Sequence, residues 1–424
     1  MKLLINLCAH DGIISHYAGV GTIVRRYIEA ILKMVNDQNI DYTLNLYTLE
    51  FNNDSMGYNK EILQYHKSLK NTNVFIVSNG TNGISSFGNI YNWKIASRNT
   101  ANAINAIKFD DYDYVVTLCN DTPFALLSTF IKESNNSYVV WIPHSTGKVY
   151  NEDLSLSKKN ETINERVKME QEVIDYINNA KNRYVASTGL YIKKHLIDAY
   201  GLKKNIDLIN GELLFRKNEY EENERMSKIL KEINKNDTII LSFGRAENYK
   251  NLDKAMILAN EMNTIAVVIT QQYYPNQPII ADYKRLAFET NSLLYVDEPF
   301  SLPQYIIKYF EGKIIMLVPS EREIFGLIIN EIRRFNKKNV LIVANDRGGL
   351  HEQIIDCVDG VLVNLDNIED AAKKISRFLT FDAMNYFNEH GQINLKENYD
   401  LYKNFNGFIR ELLGDAYDKV FTSD

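Results

Sequence analysis

The stretch PSEREIFGLIINEIRR, residues 319–334, carries two acids eight positions apart, Glu323 and Glu331, around the small turn Phe325-Gly326-Leu327. An apolar strand, IIMLV, ends at Pro319, and an apolar helix is expected to open at Phe325-Gly326. The first amides of a helix lack intrahelical acceptors and sit at the positive end of its dipole, so such a junction suits an anion. Gly326 lets a phosphate come close to the backbone. Glu331, expected about a turn and a half into the helix, suits neutral hydroxyls such as those of a ribose, and Glu323 suits a group carried beyond the phosphates. The plainer alternative is a capping acid and an exposed helix glutamate. A second junction, TIILSFGRAENYKNLDKAM, places Gly244-Arg245 at a strand end and Lys250-Asn251 at a helix start. Two fixed cations there suit a diphosphate.

Such junctions need strands to hold them. KLLINLC, TLNLYTL, NVFIVS, YVVTLC, YVVWIP and RYVAS are short buried-strand patterns separated by helical spacing such as TIVRRYIEAILKMV. A second series follows: TIILSFG, TIAVVIT, LLYVD, IIMLVPS, NVLIVAN and GVLVN. Strands alternating with helices predict parallel sheets covered on both faces, hence two tandem α/β, doubly wound, Rossmann-like domains. The charged run at 219–235 reads as one solvated helix between them. Ligands of such sheets bind beyond the strands' carboxyl ends, where both junctions lie.

The chain has 424 residues and a formal net charge of −6, which gives no basic footprint for nucleic acid. Its three cysteines are widely spaced, without metal-ligand spacing, and read as reduced thiols of a cytoplasmic protein. MKLLINLCAHDG is interrupted too early to read as a leader, and no apolar run approaches the roughly 20 residues of a membrane span. No Walker loop or G-x-S-x-G elbow occurs, and AGVGTIV lacks the third glycine of a dinucleotide fingerprint. The acidic Asp110-Asp111-Tyr112-Asp113 reads as a lead-in to YVVTLC rather than a metal motif. The histidines form no zinc pattern. YIKKHLIDAYGLKK is basic and amphipathic; it could face anionic lipid, though a solvated helix face is the commoner meaning.

Taken together, G-R…K-N after one strand and E-x-F-G-L-x-x-x-E after another resemble the donor-binding motifs of retaining glycosyltransferases of the GT-B fold, in particular glycosyltransferase family 4. VANDRGGLHEQI resembles that family's glycine pair before a helix, with Gly348, Gly349 and Glu352 in register. DGVLVNLDNIEDAAKKI resembles the segment after it, and LINGELLF, with Asn210-Gly211, its link between domains. In HYAGVGTIVRRYI, Gly19 and Gly21 occupy the place of a glycine loop facing the phosphates. In VVWIPHSTG, His144 occupies the place of a histidine near the donor sugar.

The resemblance implies an N-terminal acceptor-side domain over 1–210, a nucleotide-sugar-binding domain over 211–395 and a helical tail over 396–424 that returns to the first domain, with the site in a cleft. It implies a hexosyltransferase-type enzyme that takes a sugar from a nucleotide-diphosphate donor, first a UDP-sugar, to an acceptor hydroxyl with retention. No cofactor or metal is expected. Arg245 and Lys250 would bind the diphosphate, helped by the amides of Gly326 and Leu327 and by Gly19. Phe325 and Gly244 complete those loops. Glu323 would hold sugar hydroxyls, Glu331 the ribose, and His144 would orient the sugar. The acceptor, be it glycan, lipid-linked glycan, metabolite or protein, would be chosen by loops 50–60, 80–95 and 145–165. The alternatives are a nucleotide-sugar epimerase and a degenerate member that only binds partners. One departure stands out. Where the family has small residues and a Gly-x-Pro step, this chain reads IRRFNKKNVLIV, so Arg333, Arg334 or Lys337 is expected to face solvent or a partner.

Overall fold

The computed structural model describes residues 2–15, 19–50, 58–80, 90–151, 161–216, 223–272, 274–299, 301–335, 339–414 and 417. The chain forms two units, one of Met1–Asn210 with Leu401–Asp424, the other of Gly211–Asp400. Among the described residues no helix is long and apolar enough to cross a membrane.

The first unit holds β1 (Lys2–Cys8), β2 (Asp41–Leu49), β3 (Thr72–Val77), β4 (Tyr114–Asn120), β5 (Ser137–Ile142), β6 (Arg183–Ser187) and β7 (Asn205–Asp207). They form one sheet in the order β3-β2-β1-β4-β5-β6-β7, with every pairing parallel. From β1 the chain winds outward to β3, then restarts on the other side at β4. The space beyond the ends of β1 and β4 is therefore the topological switch point.

The second unit repeats the plan with β8 (Thr238–Arg245), β9 (Ile265–Gln271), β10 (Leu293–Val296), β11 (Lys313–Val318), β12 (Val340–Asn345) and β13 (Val361–Val363). Its order is β10-β9-β8-β11-β12-β13, again all parallel. Successive strand side chains point to opposite faces. Accordingly Ile239, Leu241, Met316 and Ile342 enter one core while Ile240, Val268, Ile315 and Val343 enter the other. Both faces are covered, which explains why these strands read as continuous apolar runs. The switch point lies between β8 and β11, and these are the strands that carry the two junctions.

Three local features correct or add to the sequence reading. The charged run contains a helix, Glu224–Ile233, whose Met226, Ile229 and Ile233 are buried, so only part of its surface is solvated. Asn223 caps it by accepting from the amide of Met226, a reason for it to start there. The aromatics of the tail are mostly interior: Phe387, Tyr399, Phe405 and Phe408 are buried, while Phe381 and Tyr386 are exposed. The helix Leu401–Leu413 belongs to the first unit, where Phe405 packs 6.0 Å from Tyr27 on the helix Gly19–Asp37 and the Tyr402 hydroxyl donates to Asp37 at 2.6 Å. Third, β7 is too short to have shown a period.

Candidate functional site

At the switch point of the second unit, β8 ends in Gly244-Arg245 and the chain turns through a short 3-10 segment, Asn248–Lys250. Asn251 then adopts a left-handed backbone (φ 48°) and the next helix starts at Asp253, two residues beyond the expected start. The loop after β11 lies alongside, tied by the amide of Glu321 donating to the Tyr249 carbonyl at 2.9 Å. The side chains follow: Lys250 Nζ pairs with Glu323 Oε1. Arg245 donates to the Tyr249 hydroxyl at 3.0 Å and pairs with Glu247 at 3.3 Å. Gly244 is under no steric demand, since a Cβ there would meet only Leu252 and Lys250 side-chain atoms at 3.8 and 4.0 Å.

The helix after β11 begins at Ile328, later than the motif implies, because Gly326 has φ +80° and cannot continue a right-handed turn. Glu331 therefore lies in the first helical turn, not a turn and a half inside. Phe325 is buried edge-on to Tyr399, ring centroids 5.9 Å apart, so it offers the site its backbone only. The glycine pair supports this loop by direct backbone contact. Gly349 N–H donates to the Glu323 carbonyl at 2.7 Å, and a Cβ on Gly349 would stand 2.2 Å from the Ile324 carbonyl oxygen.

The departure at Arg333 and Arg334 is resolved against the expectation of solvent. Arg333 is 1% exposed and pairs with the equally buried Asp359 at 2.8 Å. Gly391, on the helix Phe381–Asn398, makes room: a Cβ there would lie 3.4 Å from Arg333 Nε. Arg334 binds Glu212 at 3.2 Å and the Arg216 carbonyl. A planar guanidinium with five donors can be buried where its surroundings supply acceptors. Lys337 lies outside the described residues, as do most of the segments 50–60 and 80–95 and part of 145–165.

In the first unit, the Gly21 backbone lies tight against the Asp11 carboxylate. A Cβ on Gly21 would meet the Asp11 carboxylate at 2.4 Å, and Asp11 Oδ1 accepts from the Gly12 amide at 2.9 Å and Ser15 Oγ at 2.8 Å. Gly19, at the helix start, is open. His144 follows β5 and its Nε2 lies 3.2 Å from Asn120 Oδ1. The Asn120 amide is oriented by its Nδ2 donating to the Cys8 carbonyl at 3.3 Å, so Oδ1 faces the imidazole. Burial, partly opposed by the charge of Asp121 and reinforced by His10, pushes the His144 pKa down to about 4. The neutral ring thus donates from Nε2 and keeps Nδ1 as an acceptor.

Two residues at this switch point were missed. His10 follows β1 and Asp121 follows β4, with Nδ1 and Oδ2 3.9 Å apart and both side chains buried. Asp121 has φ 62° and ψ 178°, a conformation nearly confined to glycine. Strand-end position alone would have singled them out. Of the run Asp110–Asp113, the first two residues end a 3-10 turn, Phe109–Asp111, that precedes β4, and Asp113 accepts from the Lys2 amide at 2.7 Å. On the basic helix Leu190–Tyr200, Lys193 and Lys194 pair with Asp207 and Asp198.

Residues 224–392 match the family model described as glycosyl transferases group 1. Across the whole chain, sucrose-phosphate synthase from Thermosynechococcus elongatus superposes with a TM-score of 0.70 at 15% identity, covering 99% of this chain and 100% of that one. The chain has the GT-B fold. Other GT-B structures agree: a glycosyltransferase from Rickettsia africae (TM-score 0.66, 17% identity, 98% and 99% covered) and Anabaena Alr3699/HepE in complex with UDP and glucose (0.65, 13%, 97% and 99%). No curated protein sequence matches. The resemblance to group 1 glycosyltransferases read from the motifs therefore stands, and the GT-B switch point of the second unit falls inside the segment that the family model covers.

Proposed function

We propose that this chain is a glycosyltransferase that moves a sugar from a nucleotide-diphosphate donor, a UDP-sugar first, to an acceptor hydroxyl with retention and without a metal. The observation that carries the reading is the meeting of the two donor-type loops at the switch point of the second unit, joined by Lys250 and Glu323. The match of residues 224–392 to group 1 glycosyltransferases supports it, as does the likeness in fold to HepE, described with UDP and glucose, and to an Escherichia coli trehalose-6-phosphate protein bound with UDP-2-fluoro glucose.

In this reading Arg245 and Lys250 neutralise the diphosphate, and the amides of Gly326 and Leu327 bind its oxygens. As the bond from the anomeric carbon to the phosphate oxygen breaks, these groups stabilise the charge growing on the leaving diphosphate. The acceptor oxygen bonds to the same face of that carbon, and its proton passes to the departing phosphate. Glu331 accepts from the ribose hydroxyls, Glu323 from the sugar, and the bare Nδ1 of His144 is the acceptor it can offer a sugar hydroxyl.

The test is a thermal-shift series in EDTA against UDP, GDP, ADP, TDP, NAD and ATP, with Arg245→Ala and Glu331→Ala beside the wild type. One nucleoside diphosphate, UDP first, is expected to raise Tm, and less so in both variants. Acceptor dependence of turnover with the matching donor then separates a transferase from an epimerase, which frees nucleotide without any acceptor. No shift with any diphosphate would overturn the reading.

A further inference from the structure

Behind the loop that ends β11 lies a buried amide that no motif points to. Gln353 closes the helix Gly348–Gln353 and is wholly buried. Its Nε2 donates to the Phe325 carbonyl, and also lies 3.2 Å from the Gly326 carbonyl and 3.3 Å from the Gly349 carbonyl. Its Oε1 accepts from Asn330 Nδ2 at 2.7 Å. Three carbonyls on one end and an amide donor on the other fix which end of the side chain is which. Gln353 is itself held, because its own carbonyl accepts from Arg333 Nη2 at 2.8 Å and from Asn394 Nδ2 at 3.3 Å.

The consequence follows from peptide geometry. All peptide bonds among the described residues are trans, and in a trans planar peptide the N–H points opposite to the C=O. The Gly326 N–H shares its peptide with the Phe325 carbonyl, and the Leu327 N–H shares its peptide with the Gly326 carbonyl. Turning both carbonyls inward onto Gln353 turns both N–H groups outward. Among the described residues no protein group accepts from either one. The Gly326 backbone, at φ +80°, is the conformation that permits two successive carbonyls to converge on one donor.

We propose that Gln353 is a positioning residue of the donor site: it aims the Gly326 and Leu327 amides at the diphosphate and touches no substrate itself. This rests on the reading of the second unit as a nucleotide-sugar site. Arg333 and Asn330 extend the device, since they hold Gln353 from below. Arg333, buried in the stretch where the family has small residues, thus serves the phosphate loop rather than solvent or a partner.

Calorimetric titration with UDP and with uridine separates this role from a general structural one. Gln353→Met keeps the side-chain length and removes both donors. It is expected to weaken UDP about tenfold, roughly the worth of one hydrogen bond to a charged group, because the two amides are misaligned rather than removed, while leaving uridine affinity within twofold. Equal loss for UDP and uridine, or no loss for UDP, overturns the inference. Should the variant fail to fold, hydrogen exchange on the wild type decides: UDP is expected to slow the Gly326 and Leu327 amides, and unchanged exchange there in a UDP-bound sample overturns it. A wild type that binds no nucleoside diphosphate defeats the underlying reading, and this inference with it. That outcome is distinct, because it appears before any substitution is made.

Discussion

Lys250, in the turn after β8, and Glu323, in the loop after β11, form an ion pair across the switch point of the second sheet. Both side chains are largely buried, so the pair is screened little by solvent. A diphosphate arriving at this place must compete with Glu323 for the ammonium. Lys250→Gln is therefore expected to weaken UDP binding at least tenfold, because it removes a cation from a partly desolvated site. Glu323→Gln should leave UDP affinity unchanged or raise it, while turnover falls about a hundredfold through loss of sugar positioning. Titration and initial rates on the two variants check this, and equal losses of UDP affinity would contradict it.

Arg333 and Asp359 make a second pair, 2.8 Å apart and sealed from water. Burial lowers the arginine pKa, and the neighbouring Asp359 opposes that. Removing one partner leaves the other charge buried and unmatched, which costs about 3–5 kcal/mol. Arg333→Met and Asp359→Leu are each expected to lose that much in urea unfolding, and the double variant much less than the sum. Additive losses would show that the two groups act separately.

Most of the strands were legible because both faces of each sheet are covered, which makes a strand such as IIMLV apolar throughout. The junctions were legible too, since glycine, arginine and glutamate stand at strand ends for reasons of backbone approach and charge. Arg333 was not. A charged residue in a sequence points outward unless its acceptors are known, and Asp359 and the Gln353 carbonyl both come from beyond the next strand, β12. Gln353 was hidden for the same reason, since Asn330, Phe325 and Gly326, which it ties together, lie more than 20 positions away. The helix start at Ile328 depended on the left-handed backbone of Gly326, which the letter G permits without requiring.

The glycine pair gives a steric prediction. A methyl group on Gly349 would stand 2.2 Å from the Ile324 carbonyl oxygen and 2.8 Å from the Phe325 Cα, both backbone atoms that cannot step aside singly. Gly349→Ala should therefore shift the donor loop, costing about 1–3 kcal/mol of stability and weakening UDP by an order of magnitude or more. Gly19→Ala, with open space at the same atom, should cost well under 1 kcal/mol. Urea midpoints of the two variants make the comparison.

His144 sets a pH dependence whose sign can be worked out. Its folded pKa, pushed down to about 4 mainly by burial, lies below the ordinary value of 6.5. Between those values the unfolded chain takes up a proton that the folded one refuses, so stability falls as pH drops below about 6.5 and levels off near the folded value. His66, buried with its Nδ1 2.9 Å from the Ile13 carbonyl, is displaced the same way. Each histidine contributes a slope of up to about 1.4 kcal/mol per pH unit. His144→Asn keeps a neutral polar group and should remove one such slope, so its stability should vary less than that of the wild type between pH 6 and 4.5. The comparison cancels the carboxylates, which titrate alike in both proteins. Urea unfolding at pH 7, 6, 5 and 4.5 reads the difference directly. Parallel curves would mean that the imidazole is protonated as easily in the folded protein as in the unfolded chain. In that case Nδ1 would not be the bare acceptor that its partnership with Asn120 implies.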